Sequence, residues 1–135
     1  MLTLEEANRL LPKVREFLVR LRGFRDEVLE LEKKKAVEEL AWLKEDGTVS
    51  PRAQEEIQRL VELQEKQAAE FEKALRELHA TGAQLKELDE GLVDFPSRQG
   101  EDEILLCWKE GEPRIAYWHD LQSGFAGRQP LREFA

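Results

Sequence analysis

Between residues 1 and 90 the apolar side chains recur at steps of three and four, the period of one helical face. A first stripe runs Val14, Phe17, Leu18, Leu21, Phe24, Val28, Leu31, fades through Lys33-Lys34-Lys35, and resumes at Val37, Leu40, Ala41 and Leu43. Thr3 followed by Glu6 reads as a capping box that opens a short helix over Leu4–Leu10. Pro12 lacks the N–H that a helix interior uses but suits a first turn. A break is therefore expected at Leu10-Leu11, with a long helix over residues 12–46 ended by Asp46-Gly47. Ser50-Pro51 restarts the helix, serine as N-cap and proline at the first position. Its stripe is Ile57, Leu60, Val61, Ala68, Phe71, Leu75 and Leu78, continuing to Leu85 and Leu88. Gly82 weakens that stretch by about 1 kcal/mol relative to alanine. The period carries through it, and the second helix is expected over residues 51–89. A short turn between two long helices makes an antiparallel, coiled-coil-like hairpin.

After Gly91 the pattern changes to short apolar runs between turn residues. Gly91–Pro96 reads as an edge strand closed by proline, and Ser97–Asp102 as a polar loop. Glu103–Lys109 is dense enough for a central strand, and Arg114–His119 is the strand returning after the Glu110–Pro113 turn. The predicted fold is α+β and mainly α: a helical hairpin (residues 1–90) with a small C-terminal three-stranded antiparallel β meander (residues 91–135). Three short strands are too few to stand alone, so the meander is expected to pack on the hairpin.

Charge fits this division. Residues 1–90 hold 16 of the 21 basic and 21 of the 29 acidic side chains, whereas residues 91–135 hold six of the ten aromatics. The charges of the first part report the solvent-facing surface of two long helices. A hairpin buries only one face of each helix, and pairing into a homodimeric four-helix bundle is the natural remedy. A net charge of −8 discourages nucleic acid, because a positive stripe cannot form where acids interleave the bases. No apolar run is long enough for a membrane span, the N-terminus lacks a signal-peptide pattern, and one cysteine suits a reducing cytoplasm.

Several common sites are absent. No Glu precedes either histidine by three residues, and no His-Glu-x-x-His, Gly-x-Gly-x-x-Gly or phosphate loop occurs. His79 reads as a surface residue, and Cys107 as a small hydrophobe in the middle of a strand. What remains is a cluster: Asp94, Trp108, Glu112, Tyr117, Trp118, His119, Asp120, Phe125 and Arg128. Strand alternation puts Trp108 and Leu106 on one face and Cys107 and Leu105 on the other, with Tyr117 and His119 sharing a face opposite Trp118. One reading is structural, with tryptophans filling the gap to the helices and Arg128 paired with Asp94 or Asp120. The other is a ligand site.

The strings Leu-Lys-Glu-Leu-Asp-Glu-Gly-Leu-Val-Asp-Phe-Pro (85–96), Leu-Cys-Trp-Lys-x-Gly-Glu (106–112), Ile-Ala-Tyr-Trp-His (115–119) and Gly-Phe-Ala-Gly-Arg-Gln-Pro-Leu (124–131), with the opening Leu-Thr-Leu-Glu-Glu-Ala-Asn-Arg-Leu-Leu-Pro (2–12), resemble the bacterial family known as domain of unknown function 2203. The resemblance spans the whole chain. It implies a small bacterial cytoplasmic protein with Asp94, Trp108, Glu112, Trp118, His119, Gly127 and Arg128 as signature, and it brings no assigned activity.

Two functional expectations follow. The first is a non-enzymatic, self-associating interaction module whose hairpin dimerises and whose β module offers a partner or a small anion a site at Asp94, Trp108, Glu112, Trp118, His119 and Arg128. The second is a metal-dependent or His-based enzyme. There His119, Asp94 and Asp120 (or Glu112) hold a divalent Zn, Mn or Fe ion or move a proton, and Arg128 anchors an anionic substrate.

Overall fold

A computed structural model describes residues 1–41, 47–48 and 50–131. Two long helices, α1 (Leu4–Ala41) and α2 (Pro51–Ala80), precede five strands: β1 (Gln84–Glu87), β2 (Leu92–Gln99), β3 (Asp102–Lys109), β4 (Tyr117–His119) and β5 (Gln129–Pro130). The strands form one antiparallel sheet in sequence order. The expected α+β, mainly helical class holds. The three-stranded meander becomes five-stranded through the additions of β1 and β5.

The capping box forms as expected. Thr3 N–H donates to Glu6 Oε1 at 3.0 Å and Glu6 N–H to Thr3 Oγ1 at 3.1 Å. The break at Leu10-Leu11 does not: α1 runs unbroken through Pro12. Proline there removes only the hydrogen bond that the Asn8 carbonyl would accept. The flanking Ala7, Leu11 and Val14 are all buried, and their packing holds the turn. Ser50 caps α2 through its Oγ, 3.2 Å from Ala53 N. The expected end of the first helix at Asp46, and Leu43 of its stripe, lie outside the described residues.

The second helix stops at Ala80 rather than near residue 89. Gly82 sits at φ +101°, and its N–H donates to the His79 carbonyl at 3.0 Å, while Thr81 N–H and Oγ1–H both reach the Leu78 carbonyl. This left-handed residue closes the helix, as glycine commonly does. Leu85 then enters β1, paired with Val93.

β2 is a central strand rather than an edge, and it continues through Pro96 to Gln99. The Pro96 carbonyl accepts the Leu2 N–H at 2.9 Å, on the side away from β3. In a strand the N and carbonyl of one residue face the same side, so the missing proline N–H costs the β2–β3 ladder nothing. The expected polar loop over Ser97–Asp102 shrinks to Gly100-Glu101. Gly100 at φ +64° supplies the one positive φ of that two-residue turn, the signature of a II′ hairpin. The returning strand is shorter than expected, Tyr117–His119, because the Ile115 N–H is taken by Asn8 Oδ1 on α1 at 2.8 Å.

Two compact units result, and they do not divide at Gly91. One holds residues 1–19 and 74–135; the other holds residues 20–73. In the first unit, Ala7, Leu11, Val14, Leu18 and Leu78 of the helix ends are buried together with Val93, Phe95, Leu106 and Trp108 of the sheet. The second unit is a helical hairpin tied by Gln64 Nε2, which donates to the Val28 carbonyl at 3.3 Å and to Glu32 Oε2 at 2.8 Å. Among the described residues, no helix is long and apolar enough to cross a membrane.

Candidate functional site

Register decides which side chains share a face. Asp94 lies opposite Cys107, and Cys107 opposite Tyr117, while Leu105 lies opposite His119. Since alternate residues of a strand share a face, Asp94, Leu105, Cys107, Tyr117 and His119 stand on one side of the sheet. Val93, Phe95, Leu106, Trp108 and Trp118 stand on the other. There Arg15 of α1 lies over the Trp108 ring, 5.4 Å from its centroid. The sequence-derived face assignment of Trp108, Cys107, Tyr117, Trp118 and His119 therefore matches the structure.

The first face carries a buried polar cluster. His119 Nε2 lies 3.1 Å from Asp94 Oδ2, and both side chains are almost fully enclosed. Its other nitrogen, Nδ1, lies 2.7 Å from the Asp120 carbonyl oxygen. A carbonyl only accepts, so Nδ1 carries a proton, and one further proton sits between Nε2 and Oδ2. The donor atoms of Asp94, Cys107 and His119 all lie within 4.8 Å of one another. Burial, reinforced by the Asp94 charge and opposed by Arg128, pushes the Cys107 thiol up to about 11. Both imidazole nitrogens are engaged elsewhere, and the pull of Arg128 on the sulfur is outweighed by burial and the Asp94 charge. Cys107 is no activated nucleophile in this state.

Next to this cluster lies a second, half-buried one. Arg128 donates from Nη1 to Glu112 Oε1 at 3.1 Å and from Nη2 to Glu112 Oε2 at 2.8 Å, a bidentate pair. The guanidinium is sandwiched between Tyr117 and Phe125, 3.9 and 4.4 Å from the ring centroids. Glu112 also accepts the Lys109 N–H through Oε1 at 2.7 Å, and its carbonyl takes the Trp108 Nε1–H at 2.9 Å. Arg128 thus pairs with Glu112 rather than with Asp94 or Asp120, and its planar fork is already filled by a carboxylate.

Asp120 belongs to neither cluster through its side chain. Its Oδ1 accepts the Gln122 and Ser123 N–H groups at 2.9 and 2.7 Å, which hold the exposed carboxyl below its ordinary value. Of the expected metal set His119, Asp94 and Asp120, the structure brings the first two together and puts Cys107 in the third place. His79 is exposed, and its Nε2 accepts the Leu85 N–H at 3.3 Å.

The family model described as an uncharacterized conserved protein, DUF2203, matches residues 1–131. The chain belongs to the DUF2203 family. No curated protein and no solved structure matches it. The expected signature of this DUF2203 chain separates into three places: Asp94 with His119, Glu112 with Arg128 (preceded by Gly127 at the end of a 3₁₀ turn), and Trp108 and Trp118 on the opposite face of the sheet. Cys107 is the residue that sequence reasoning left out of the site. Strand alternation gives its face, and the pairing of Asp94 with Cys107 across β2 and β3 is the signal that alternation does not carry.

Proposed function

We propose that this DUF2203 protein is a non-enzymatic interaction module whose helical hairpin pairs with a second copy of the same chain. The observation that carries this reading is the burden of exposed aliphatics on α1: Leu29 at 54%, Val37 at 62% and Leu40 at 78% accessibility. At about 100° per residue these three and Lys33 fall within roughly 80° of one another, on the side of the helix away from Leu31. A second apolar stripe of this kind has no use in an isolated hairpin.

Charge favours a second copy over a strongly acidic or basic partner. The same face carries Arg22 and Lys33 against Asp26 and Glu30, two of each sign. With two α1 helices antiparallel and Leu29 opposite Val37 of the copy, Lys33 meets the copy's Lys33 at the two-fold axis, and the Glu30 of each chain lies within one turn of that pair and offsets its charge. The polar groups of the sheet face support a non-enzymatic role in their own way, since Arg128 and Glu112 neutralise each other and the Asp120 carboxylate caps a turn.

Sedimentation equilibrium at micromolar concentration tests the proposal. The expected mass is twice that of the 15.7 kDa chain, falling to a single chain when Leu29, Val37 and Leu40 are changed together to Glu. A wild-type monomer throughout that range overturns it.

A further inference from the structure

We propose that Asp94, Cys107 and His119 form a binding site for one divalent transition-metal ion of the zinc class. Three neighbouring strands, β2, β3 and β4, each deliver one donor to the same face of the sheet. The three donor atoms lie within 4.8 Å of one another, and accessibilities are 4% for Asp94, 1% for Cys107 and 2% for His119. These are the buried chemistry-bearing side chains of a face whose other members include Leu105 and Tyr117. A face built only for packing gains nothing from enclosing a carboxylate and an imidazole beside a thiol.

The imidazole is oriented as a metal ligand is. Metal-bound histidines typically donate the far ring N–H to a carbonyl or carboxylate, which fixes the tautomer and aims the near nitrogen. Here Nδ1–H donates to the Asp120 carbonyl at 2.7 Å, and Nε2 is aimed at Asp94. The same arrangement disfavours a nucleophile–base pair, in which one ring nitrogen would have to face the sulfur alone.

Charge balance is favourable as well. A thiolate, a carboxylate and a neutral imidazole carry two negative charges, which a divalent ion neutralises inside the enclosed site. The donor set selects the metal. One thiolate, one imidazole and one carboxylate suit a borderline-soft ion such as Zn(II) or Co(II) and do not suit Mg(II) or Ca(II), which take oxygen donors. Three protein donors leave the fourth position of a tetrahedral ion to water or to an exogenous ligand.

The test is a titration of chelator-treated full-length protein with Co(II), followed by competition with Zn(II). The expected result is one ion per chain, with a thiolate-to-cobalt charge-transfer band and the d–d bands of a four-coordinate centre that Zn(II) abolishes. Cys107→Ser keeps the size of the side chain and removes the thiolate. It is expected to lose the charge-transfer band and about a hundredfold or more in affinity. Asp94→Asn is expected to weaken binding to a similar degree. A folded wild-type protein that gives no charge-transfer band overturns the proposal, whatever the variants do. Binding that both variants leave unchanged also overturns it, because the ion is then held elsewhere. All three donors come from one chain, so the outcome does not depend on whether the hairpin pairs.

Discussion

The two compact units are built from the same pair of helices, yet they bury very different amounts of apolar surface. In residues 1–19 and 74–135, Trp108, Phe95, Leu18, Leu78, Val14 and Val93 are all essentially inaccessible. In residues 20–73 the buried apolar side chains, among those described, are Leu21, Leu31, Ala53 and Leu60. The difference comes from geometry. A sheet face gives a helix a broad surface that accepts rings as large as indole, whereas two helices alone meet along one narrow stripe each. A small unit with so thin a core gains most from a partner.

The largest expected effect contrasts one substitution from each unit. Trp108→Ala removes a fully buried ring and its hydrogen bond to Glu112, and is expected to cost about 3–5 kcal/mol in urea unfolding. Leu40→Ala, at a site 78% exposed, is expected to change the stability of the dilute protein by less than about 0.5 kcal/mol. Equal losses from the two would erase the contrast between the units.

Acid gives a smaller and graded effect. In the hairpin unit, the hydrogen bond from Gln64, with help from Lys35, holds the Glu32 carboxyl below its ordinary 4.5, and Arg59 does the same for Glu56. A lowered carboxylate favours the folded state above its ordinary value, and that contribution fades as pH falls through the lowered one. Glu6 is lowered as well, by Thr3, but its unit has a large apolar core that does not titrate. Far-UV helicity is therefore expected to decline at a higher pH than the fluorescence of Trp108 and Trp118, measured in a Trp42→Phe background. Coincident transitions would mean that the units unfold as one block.

Much of the fold could be read from residue patterns, because several signals are local. Thr3 with Glu6 and Ser50 with Pro51 mark helix starts by chemistry confined to one turn, and both starts form as expected. Pro12 misled because its cost depends on how well the surrounding turns are packed, a tertiary property. Gly82 misled in the opposite sense. Leu85 and Leu88 keep a helical spacing, but a glycine at positive φ ends the helix before they are reached. Alternation put Cys107, Tyr117 and His119 on their correct face. Which of them meet could not be read that way, since cross-strand register joins Asp94 to a cysteine thirteen positions away in the chain. Likewise Arg128 finds Glu112, sixteen positions away, through a turn that no periodicity describes.

In the proposed pairing, one unit holds itself together while the other leans on a second copy. Amide hydrogen exchange, followed at two protein concentrations on either side of the pairing equilibrium, tests this most directly. The amides of β2 and β3 are expected to be equally protected at both concentrations, and those of residues 20–41 and 51–73 to exchange faster on dilution. Hairpin amides that stay as slow as those of β2 and β3 in the dilute sample would contradict it.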